Sequence, residues 1–317
     1  MKIAVTGALG HIGSRFIRAM EPGAYQEVLL VDNLSTQRFP SLFDLPSGVP
    51  FQFLEEDICS ADLTSLFKGR DVVIHLAALT DASSSVERQK EVERVNYEGT
   101  RRVAEACNEC GCRLLFVSTT SVYGTQEGVV DEDCAEAKLK PQSPYADSKL
   151  RAEGLLRRLG PGLRFVTCRF GTIFGVSAGM RFHTAVNKFV WQAVLRQPLT
   201  VWRTALNQER PYLDLSDAVR ALDFLTRRER FDNEIYNVLT VNATVGEIVA
   251  IIREQIPDLE VQYVDSPIMN QLSYTVSAEK FKALGFEFRG DLRRGIGDTV
   301  RLFDGLKSQA GRQRTLG

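Results

Sequence analysis

Short apolar runs alternate with segments of helical periodicity through the first half of the chain. Strands are predicted at 2–6, 27–32, 51–57, 72–77, 113–118 and 163–169. Helices are predicted between them, at 11–20, 61–67, 86–110 and 144–159. Most of the runs are apolar nearly throughout, which is typical of parallel strands that are covered on both faces. The repeated strand-then-helix order therefore predicts an α/β fold with a doubly wound parallel sheet.

The alternation ends after Arg169. Two helices are predicted at 183–196 and 216–227, a strand at 234–239, and two more helices at 244–256 and 291–306. We interpret 1–169 as a nucleotide-binding domain to which 234–256 returns. Segments 170–233 and 257–309 are then predicted to form a smaller, interleaved α/β lobe that binds the substrate, and the polar residues 310–317 to form a flexible tail.

Composition and charge argue against nucleic-acid binding, membrane insertion and secretion. The 317 residues carry a net charge of −1 without a long basic run, which argues against a nucleic-acid partner. No apolar run approaches the ~18 residues of a membrane span, and a strand that begins at Lys2 leaves no room for a signal peptide. We therefore expect a soluble cytoplasmic protein without a membrane partner.

The six cysteines and three histidines do not predict a metal centre. Cys107, Cys110 and Cys112 form a C-x-x-C-x-C pattern, but it runs from a predicted helix end into a strand, and no second ligand pair follows. The histidines are scattered, and six cysteines in a chain of this length do not make a disulfide framework. We expect free thiols and no metal.

The segment TGALGHIG, residues 6–13, lies between the first predicted strand and the first predicted helix. Gly7 permits a tight turn, Gly10 lets the backbone approach a pyrophosphate, and Gly13 lets the helix pack closely on the strand. The helix N-terminus then directs free N–H groups and a partial positive charge at phosphates. This context predicts a dinucleotide site.

Two acidic residues at strand ends refine the prediction of the cofactor. Asp32 follows Gly13 at the distance expected of a carboxylate that binds the adenosine ribose hydroxyls and repels a 2′-phosphate, which favours NAD over NADP. The nearby Arg38 softens that preference. Asp57 is placed to contact the adenine amino group, or alternatively caps its own strand end.

The segment SPYADSK, residues 143–149, predicts the start of a helix that carries a reactive pair. Ser143 is a good N-cap and Pro144 a good first helical residue, so Tyr145 and Lys149 lie one turn apart on one face. An ammonium close to a phenol favours the phenolate. The pattern alone is also typical of a half-buried tyrosine and a solvated lysine.

Several motifs occur together in one order: the glycine spacing, DNLS (32–35), HLAA (75–78), VNYEGT (95–100), STTSVYG (118–124) and YADSK (145–149). As a set they resemble the extended short-chain dehydrogenase/reductase family, and within it the nucleotide-sugar epimerases and dehydratases, such as the UDP-glucose 4-epimerases. The resemblance covers about residues 1–305. It implies a Rossmann domain, a small C-terminal substrate lobe and NAD as cofactor.

The resemblance also implies the catalytic residues Thr119, Tyr145 and Lys149, with Tyr145 as the base. Lys149 and the nicotinamide charge are expected to lower the phenol pKa by ~2–4 units from its usual ~10. Implied cofactor contacts are Gly7, Gly10, His11, Ile12, Gly13, Asp32, Asn33, Asp57, Ile58, Leu76, Ala77, Ala78, Asn96, Ser118, Tyr145 and Lys149. Implied substrate contacts are Thr80, Thr119, Thr120, Thr172, Asn187 and Arg210. For Asn96, a buried amide that bonds backbone is an equal alternative, and Arg210 has a surface arginine as its alternative.

The branch of the family follows from what stands after Thr119. Dehydratases of the family carry an Asp–Glu pair there, whereas this chain has Thr120 and Ser121. Without a carboxylate for elimination, the resemblance favours an NAD-dependent nucleotide-sugar 4-epimerase. Thr172 in place of the usual Asn, and Val176 and Pro211 in place of a Pro and an Asp, put the identity of the sugar nucleotide in doubt.

Two other functions stay open. One is an NAD-dependent dehydrogenase or reductase of a sugar or other alcohol with a dissociable cofactor, and the other is an NAD-sensing protein without catalysis. A complete Thr119, Tyr145 and Lys149 set argues against the sensor. Family members often pair two long helices per subunit into a four-helix interface, so we expect a homodimer through helices 86–110 and 144–159.

Overall fold

A seven-stranded parallel sheet forms the centre of the computed structural model, which describes residues 1–81, 85–160, 162–265 and 273–306. The strand order is 235–238, 165–170, 113–119, 72–75, 2–6, 27–32 and 51–55, and every neighbouring pair is parallel. The chain begins in the middle of the sheet and winds first to one edge and then to the other. This arrangement confirms the predicted doubly wound sheet.

The described residues form fourteen strands and ten α-helices. The strands are β1 (Lys2–Thr6), β2 (Glu27–Asp32), β3 (Phe51–Glu55), β4 (Val72–His75), β5 (Arg113–Thr119), β6 (Val129–Val130), β7 (Phe165–Phe170), β8 (Thr172–Phe174), β9 (Leu199–Trp202), β10 (Glu209–Asp214), β11 (Ile235–Val238), β12 (Val241–Thr244), β13 (Val261–Val264) and β14 (Thr275–Val276). The helices are α1 (His11–Arg18), α2 (Leu63–Phe67), α3 (Gln89–Val92), α4 (Gly99–Cys110), α5 (Pro144–Leu159), α6 (Ala185–Val194), α7 (Leu215–Arg227), α8 (Val245–Gln255), α9 (Glu279–Lys282) and α10 (Leu292–Arg301).

Helices cover the large sheet on both faces. On one face Phe16 and Ile17 of α1 pack with Leu222 and Leu225 of α7. On the other face, α2, α4 and α5 contribute side chains such as Phe67, Val103 and Leu156. A parallel sheet that is buried in this way needs strands that are apolar throughout, which explains the continuous apolar runs in the sequence.

A second lobe packs around the small sheet β8, β10 and β12. Its core is formed by α6, α8 and α10, with Val190, Ile248, Ile252 and Ile296 among the buried residues. The strands of this lobe are short and β9 alternates between buried and exposed positions. No long apolar run occurs in this part of the sequence, which is why β8, β9, β10 and β12 are absent from the predicted elements.

The structure differs from the predicted division of the chain in two helices. Helix α7, assigned to the substrate lobe, packs against α1 under the large sheet. It precedes β11, which pairs in parallel with β7, and a parallel neighbour requires a crossover that covers the sheet. In the segment 234–256, β11 joins the large sheet, but α8 packs with α6 and α10 in the second lobe.

The predicted helix 86–110 contains a local irregularity. Between α3 and α4, residues Glu93–Glu98 form a turn of π-helix, in which Asn96 is fully buried. Such bulges re-aim a side chain by adding one residue to a turn and are frequent at functional sites. The predicted tail 310–317 lies outside the described residues. No described helix is long and apolar enough to cross a bilayer.

Candidate active site

The loop between β1 and α1 brings backbone close to backbone. Gly7 has a φ of +67°, and a Cβ there would lie 2.5 Å from the Ala77 nitrogen. A Cβ on Gly13 would lie 2.5 Å from the Ala8 carbonyl oxygen. Only glycine fits at either position. The loop is thereby held against the end of β4 with the N-terminus of α1 directed into the cleft.

The predicted cofactor residues of α1 occupy its first turn. Gly10 is the N-cap and carries no side-chain cap, while His11 and Ile12 are the first two helical residues. Their N–H groups have no partner within the helix, which is the arrangement that binds phosphate oxygens. The structure therefore places Gly10, His11 and Ile12 where a diphosphate is expected.

Asp32 and Asp57 lie at neighbouring strand ends, as predicted. Asp32 accepts hydrogen bonds from the backbone nitrogens of Leu9 and Leu34, both at 3.0 Å. Asp57 accepts one from the Cys59 nitrogen at 2.8 Å, so it also caps its own turn. The exposed Asn33, which follows Asp32 in the chain, donates from its Nδ2 to an Asp57 oxygen at 3.4 Å. Ile58 is buried beneath them.

Asn96 bonds to backbone and thereby supports the cofactor region. Its Oδ1 accepts from the Leu79 nitrogen at 2.8 Å, and its Nδ2 donates to the Leu79 oxygen at 2.9 Å. This fixes the loop after β4, which contains Leu76, Ala77 and Ala78 and lies beside the glycine loop. The hydrogen bonds to Leu79 agree with the interpretation of Asn96 as a buried amide that bonds backbone, and its contact with the cofactor stays a prediction.

Helix α5 begins as the sequence predicts. Ser143 is the N-cap, and its hydroxyl accepts a hydrogen bond from the Ala146 nitrogen at 3.2 Å. Pro144 is the first helical residue, and Tyr145 and Lys149 follow on one face. Thr119 ends β5, and its hydroxyl accepts from the Ser121 nitrogen at 3.1 Å, which starts a 3₁₀ turn over Thr120–Tyr123.

Without cofactor, the pKa of Tyr145 lies above its usual value, and the lower pKa expected with bound nicotinamide stays a prediction. Burial raises the pKa of Tyr145 to about 12, while hydrogen bonding to Thr119 and the charge of Arg181 act in the opposite direction. Burial lowers the pKa of Lys149 to about 7, opposed by Glu153. The Lys149 Nζ donates to the Val117 oxygen at 2.8 Å and lies 4.7 Å from the centre of the Phe116 ring. The sequence prediction neglected the burial of both groups.

Ser118 does not present its hydroxyl to the cleft. It is 2% exposed and donates a 2.5 Å hydrogen bond to Glu153. Because side chains alternate along a strand, Ser118 points away from the side on which Thr119 lies. The expected contact between Ser118 and the cofactor stays a prediction.

The predicted substrate residues come from separate segments around Tyr145. Thr120 is buried and lies 3.4 Å from the hydroxyl of Tyr274. Asn187 in α6 is fully buried, donates to the Arg181 oxygen at 2.9 Å, and has an Oδ1 without a partner among the described residues. Thr172 in β8 pairs in register with Tyr212 of β10, two residues beyond Arg210.

Residues 177–183, here called the strap, cross from the second lobe onto the glycine loop. The Ser177 hydroxyl and His11 Nδ1 are 2.7 Å apart, and the Gly179 nitrogen donates to the Ser14 hydroxyl at 2.9 Å. A Cβ on Gly179 would lie 2.4 Å from the Leu9 oxygen. Arg181 Nη1 donates to the Thr80 hydroxyl at 2.7 Å.

Arg38 and Arg181 lie close together in the cleft beneath the strap, with Asp32 and Asp81 near them. Burial, and after it the charges of Arg181, Arg38 and His183, lower the pKa of His11 to about 3, so its imidazole is neutral. Burial and Arg181 lower the pKa of Arg38 to about 10, although Asp32 raises it. A cavity of about 650 Å³ opens here, lined among others by Arg38, Thr80, Arg181 and His183.

These residues fit an NAD molecule. Glycines at 7 and 13 leave the cradle that a Cβ would fill, and the first turn of α1 offers free N–H groups. His11 Nε2 and Arg38 Nη1 are buried without a hydrogen-bond partner among the described residues. The diphosphate of a dinucleotide carries negative charge and hydrogen-bond acceptors, which would satisfy the unpaired nitrogens of His11 and Arg38.

Sequence reasoning missed the strap and Tyr274. The segment GMRFH (179–183) carries a weak signal for a ligand site, because Arg181 and His183 follow a glycine at the start of the predicted helix 183–196. Nothing local indicated that this segment reaches the glycine loop, since the contact joins residues 166 positions apart. Tyr274 precedes the two-residue strand β14, which is too short to predict.

Comparisons with known proteins agree with this geometry. The model of the NAD-dependent epimerase/dehydratase family matches residues 3–238. An uncharacterized UDP-glucose epimerase of Bacillus subtilis is 30% identical over 264 residues, which are 80% of this chain and 82% of that protein. A trifunctional UDP-glucose 4,6-dehydratase, 3,5-epimerase and reductase of Arabidopsis thaliana is 27% identical over 95% of this chain, which spans 47% of that protein.

A solved structure is similar over almost the whole length. The UDP-glucuronic acid 4-epimerase of Bacillus cereus, in complex with UDP-glucuronic acid and NAD, has a TM-score of 0.85 and 26% identity. The similarity covers 97% of this chain and 100% of that one.

Proposed function

The chain belongs to the NAD-dependent epimerase/dehydratase family, and from this premise we propose that it is a nucleotide-sugar 4-epimerase. The observation that carries the proposal is the hydroxyl row that follows β5. Thr120 and Ser121 stand next to Thr119, and Thr120 is held by the Phe170 oxygen at 3.3 Å and by Tyr274. No carboxylate is among the groups that shift the pKa of Tyr145. Elimination of water requires an acid at this place, whereas inversion of a carbinol carbon does not.

Tyr145 is the proposed base. Its phenolate removes the proton of the sugar C4 hydroxyl, and Thr119 hydrogen-bonds to the same oxygen. NAD, when bound, would supply reversible hydride acceptance, so that the hydride could leave C4 on one face and return on the other. Tyr145 then gives the proton back to the oxygen, so electrons and protons balance without a second substrate. Gly7, Gly10, Gly13 and Asp32 hold the cofactor in this proposal.

Positive charge around Tyr145 is required because burial alone keeps the phenol protonated. Arg181 acts on it from the strap, and Lys149 stands one turn away on α5. The positive nicotinamide ring adds to both in the loaded enzyme. We therefore expect the phenolate to form only when cofactor is bound.

For the sugar, the site favours one with a carboxylate at C6. Thr119, Thr120, Ser121 and Thr172 offer hydroxyl donors, and Arg181 offers a guanidinium. In a uronic acid the carboxylate stands on C5, the neighbour of the reacting C4, so it lies within one sugar width of Tyr145. Arginine binds carboxylates through two parallel hydrogen bonds. The similar Bacillus cereus structure holds UDP-glucuronic acid. Asn187 and Arg210 are assigned to the diphosphate side of the substrate.

Replacing Arg181 tests this choice of substrate. We expect Arg181→Leu to lower kcat/KM for UDP-glucuronic acid by about 30-fold or more beyond its effect on UDP-glucose, because the variant removes one partner of a desolvated charge pair. Both sugars share a further loss, because Arg181 also acts on Tyr145. Arg88→Leu is the matched control, because Arg88 lines the same cavity but is paired with Glu91 in solvent. Equal losses for both sugars would assign Arg181 to the cofactor instead.

The epimerase proposal itself is tested on the protein as purified, without added cofactor. After denaturation, chromatography of the supernatant measures NAD and NADH per chain. Near-stoichiometric nicotinamide and inversion at C4 in a panel of nucleotide sugars, followed by NMR, are the expected results. An empty site together with accumulation of NADH in the presence of an alcohol would favour the dehydrogenase alternative.

We further propose a homodimer through α5 and the helix that runs from α3 to α4. These helices pack against each other, and Arg151 of α5 pairs with Glu93 and Asp147 on their outer side. Light scattering measures the mass, and a monomer at micromolar concentration would contradict the proposal. The cytoplasmic location stays a prediction from the sequence.

A further inference from the structure

A buried ion pair lies directly behind the catalytic helix. Glu153 of α5 and Arg169 of β7 are each 1% exposed. Glu153 Oε2 is 2.7 Å from Arg169 Nη2, and Oε1 is 3.1 Å from Arg169 Nε, so the pair is bidentate. Burying two charges costs more free energy than burying two apolar side chains of similar size. The pair therefore calls for an explanation other than stability.

The carboxylate of this pair reaches the strand that ends in Thr119. Ser118 Oγ donates to Glu153 Oε1 at 2.5 Å, and Lys149, one turn earlier on α5, donates to the Val117 oxygen at 2.8 Å. Two side chains of α5 thus hold the last residues of β5 from one side. Thr119 is the next residue, and its hydroxyl faces Tyr145.

Several elements contribute charged or titratable groups around Lys149. Tyr145 and Glu153 stand on its own helix. From β4 comes His75, whose pKa is lowered to about 3 by burial and by Lys149, so it is neutral. From β7 comes Arg169, which is bound to Glu153. Among the described residues, Glu153 is the one negative group that acts on the Lys149 ammonium.

We propose that Glu153 is a positioning residue for the reaction, whose carboxylate keeps the buried Lys149 ammonium charged and holds the end of β5 in register with it. Arg169 has a part in this arrangement, because its guanidinium binds both carboxylate oxygens of Glu153 and fixes their positions. Arg169 is itself held over the Tyr123 ring, with its carbon 4.9 Å from the ring centre. The inference rests on the proposed function in taking Lys149 and Tyr145 as the reacting pair.

The physical consequence concerns the protonation of Lys149. Burial lowers its pKa to about 7, and Glu153 is the group that opposes this effect. Without the carboxylate the ammonium gives up its proton at a lower pH. Lys149 stands one turn from Tyr145 on the same helix, so in this proposal a neutral Lys149 makes the phenolate harder to form.

Unfolding of the protein without cofactor and substrate tests the inference independently of any activity. Glu153→Gln should raise the unfolding equilibrium constant at least tenfold more at about pH 6 than at about pH 9. At pH 6 the folded wild type keeps Lys149 charged with the help of Glu153, whereas at pH 9 Lys149 is neutral in both proteins. A destabilisation that is equal at the two pH values would show that the pair is merely structural and overturn the inference.

A second variant keeps the inference testable if Glu153→Gln does not fold. The double variant carries Glu153→Met and Arg169→Leu, so that apolar side chains of similar volume replace both charges. We expect the fold to tolerate this replacement. The double variant should show the same extra loss of stability at pH 6. Glu153→Asp keeps the charge and should restore the wild-type pH dependence, and Ser118→Ala removes one hydrogen bond but keeps the charge and should not change that dependence.

Turnover gives the second readout. For the epimerase, the alkaline limb of kcat against pH should move down by one unit or more in Glu153→Gln and return in Glu153→Asp, with little change in KM. A uniform loss of kcat at every pH would count against the inference. If the protein inverts no nucleotide sugar, the proposed function fails, while the unfolding experiment still decides the role of Glu153.

Discussion

The cofactor wall of the cleft and its substrate wall are built in different ways. The cofactor wall consists of backbone at the carboxyl ends of β1, β2 and β4 and the first turn of α1, which are neighbours in one sheet. The substrate wall consists of side chains from β8, α6, β10 and the segment before β14, and the strap joins the two walls. A site that is built from closely packed backbone tolerates few substitutions. A site that is built from side chains can change its ligand specificity by substitution while the fold stays the same.

The difference has a consequence for the function. At Gly7 and Gly13 the backbone approaches its neighbours so closely that no L side chain fits, and we propose that binding of the dinucleotide depends on this approach. In the proposed function, choice of the sugar depends on groups such as Thr120, Thr172 and Arg181, whose exchange is expected to leave the sheet intact. Substitutions on the two walls should therefore fail in different ways, one by losing NAD and the other by changing substrate.

Tyr145 connects the walls, and its loss should have the largest effect. Tyr145→Phe removes the base and is expected to lower kcat by about 1,000-fold, within the range for general acid–base catalysis. NAD content should stay at the wild-type level, because the cofactor wall is untouched. Stopped assays by NMR measure the rate, and Tyr97→Phe on the outer helix face is the control. Unchanged biological activity in Tyr145→Phe would favour the sensor hypothesis.

On the cofactor wall, Gly13→Ala is expected to weaken NAD binding by 100-fold or more, about 3 kcal/mol at 1.4 kcal/mol per tenfold change. The new Cβ would lie 2.5 Å from the Ala8 oxygen and force α1 away from the loop. The control is Gly154→Ala in α5, where the nearest neighbour is the flexible end of Arg158 at 3.5 Å. Titration calorimetry measures both, and equal affinities would contradict the backbone argument.

A substitution in the strap should change the rate at which NAD dissociates more than the rate of the chemical step. Gly179→Ala places a Cβ 2.4 Å from the Leu9 oxygen, so the strap must lift from the glycine loop. We expect NAD to dissociate about tenfold faster, as measured by exchange with labelled NAD. Ala178→Gly is the control on the neighbouring residue. An unchanged rate of exchange would mean that the strap does not cover the cofactor.

The smallest predicted effect is a pH-dependent change in the free energy of unfolding that arises from His75, a residue of the core beneath the cofactor wall. His75 is buried between the hydroxyls of Thr6 at 2.7 Å and Thr100 at 3.0 Å, and burial lowers its pKa to about 3. The unfolded chain therefore binds a proton near pH 6.5 that the folded protein does not bind. Stability is full above pH 6.5 and falls below it, by about 1.4 kcal/mol at pH 5.5 for this residue.

Chemical denaturation at pH 7.5 and 5.5 measures this contribution. In His75→Gln the acid loss should be smaller by that amount, because the amide does not titrate, even though the variant is less stable at both pH values. The same loss in variant and wild type would refute the assignment. His11 titrates in the same direction, so its contribution remains in both proteins.

The sequence alone was sufficient for the large sheet and for most of the cofactor wall. Each of these features is local: a run of apolar residues forms a strand, and a glycine spacing forms a turn within eight residues. The start of α5 at Ser143 and Pro144 was predictable for the same reason, since capping acts over one turn. The small strands β8, β9 and β12 lacked such a signal because few of their residues are buried on both sides.

The tertiary structure alone decided the features that join distant segments. It brought the strap onto the glycine loop, Tyr274 next to Thr120 and Glu153 next to Arg169. It also raised the pKa of Tyr145 and lowered that of Lys149, opposite to a simple pair of charges in water. The physical reason is that local pattern sets which side chains share a face, whereas packing sets how much water each of them retains.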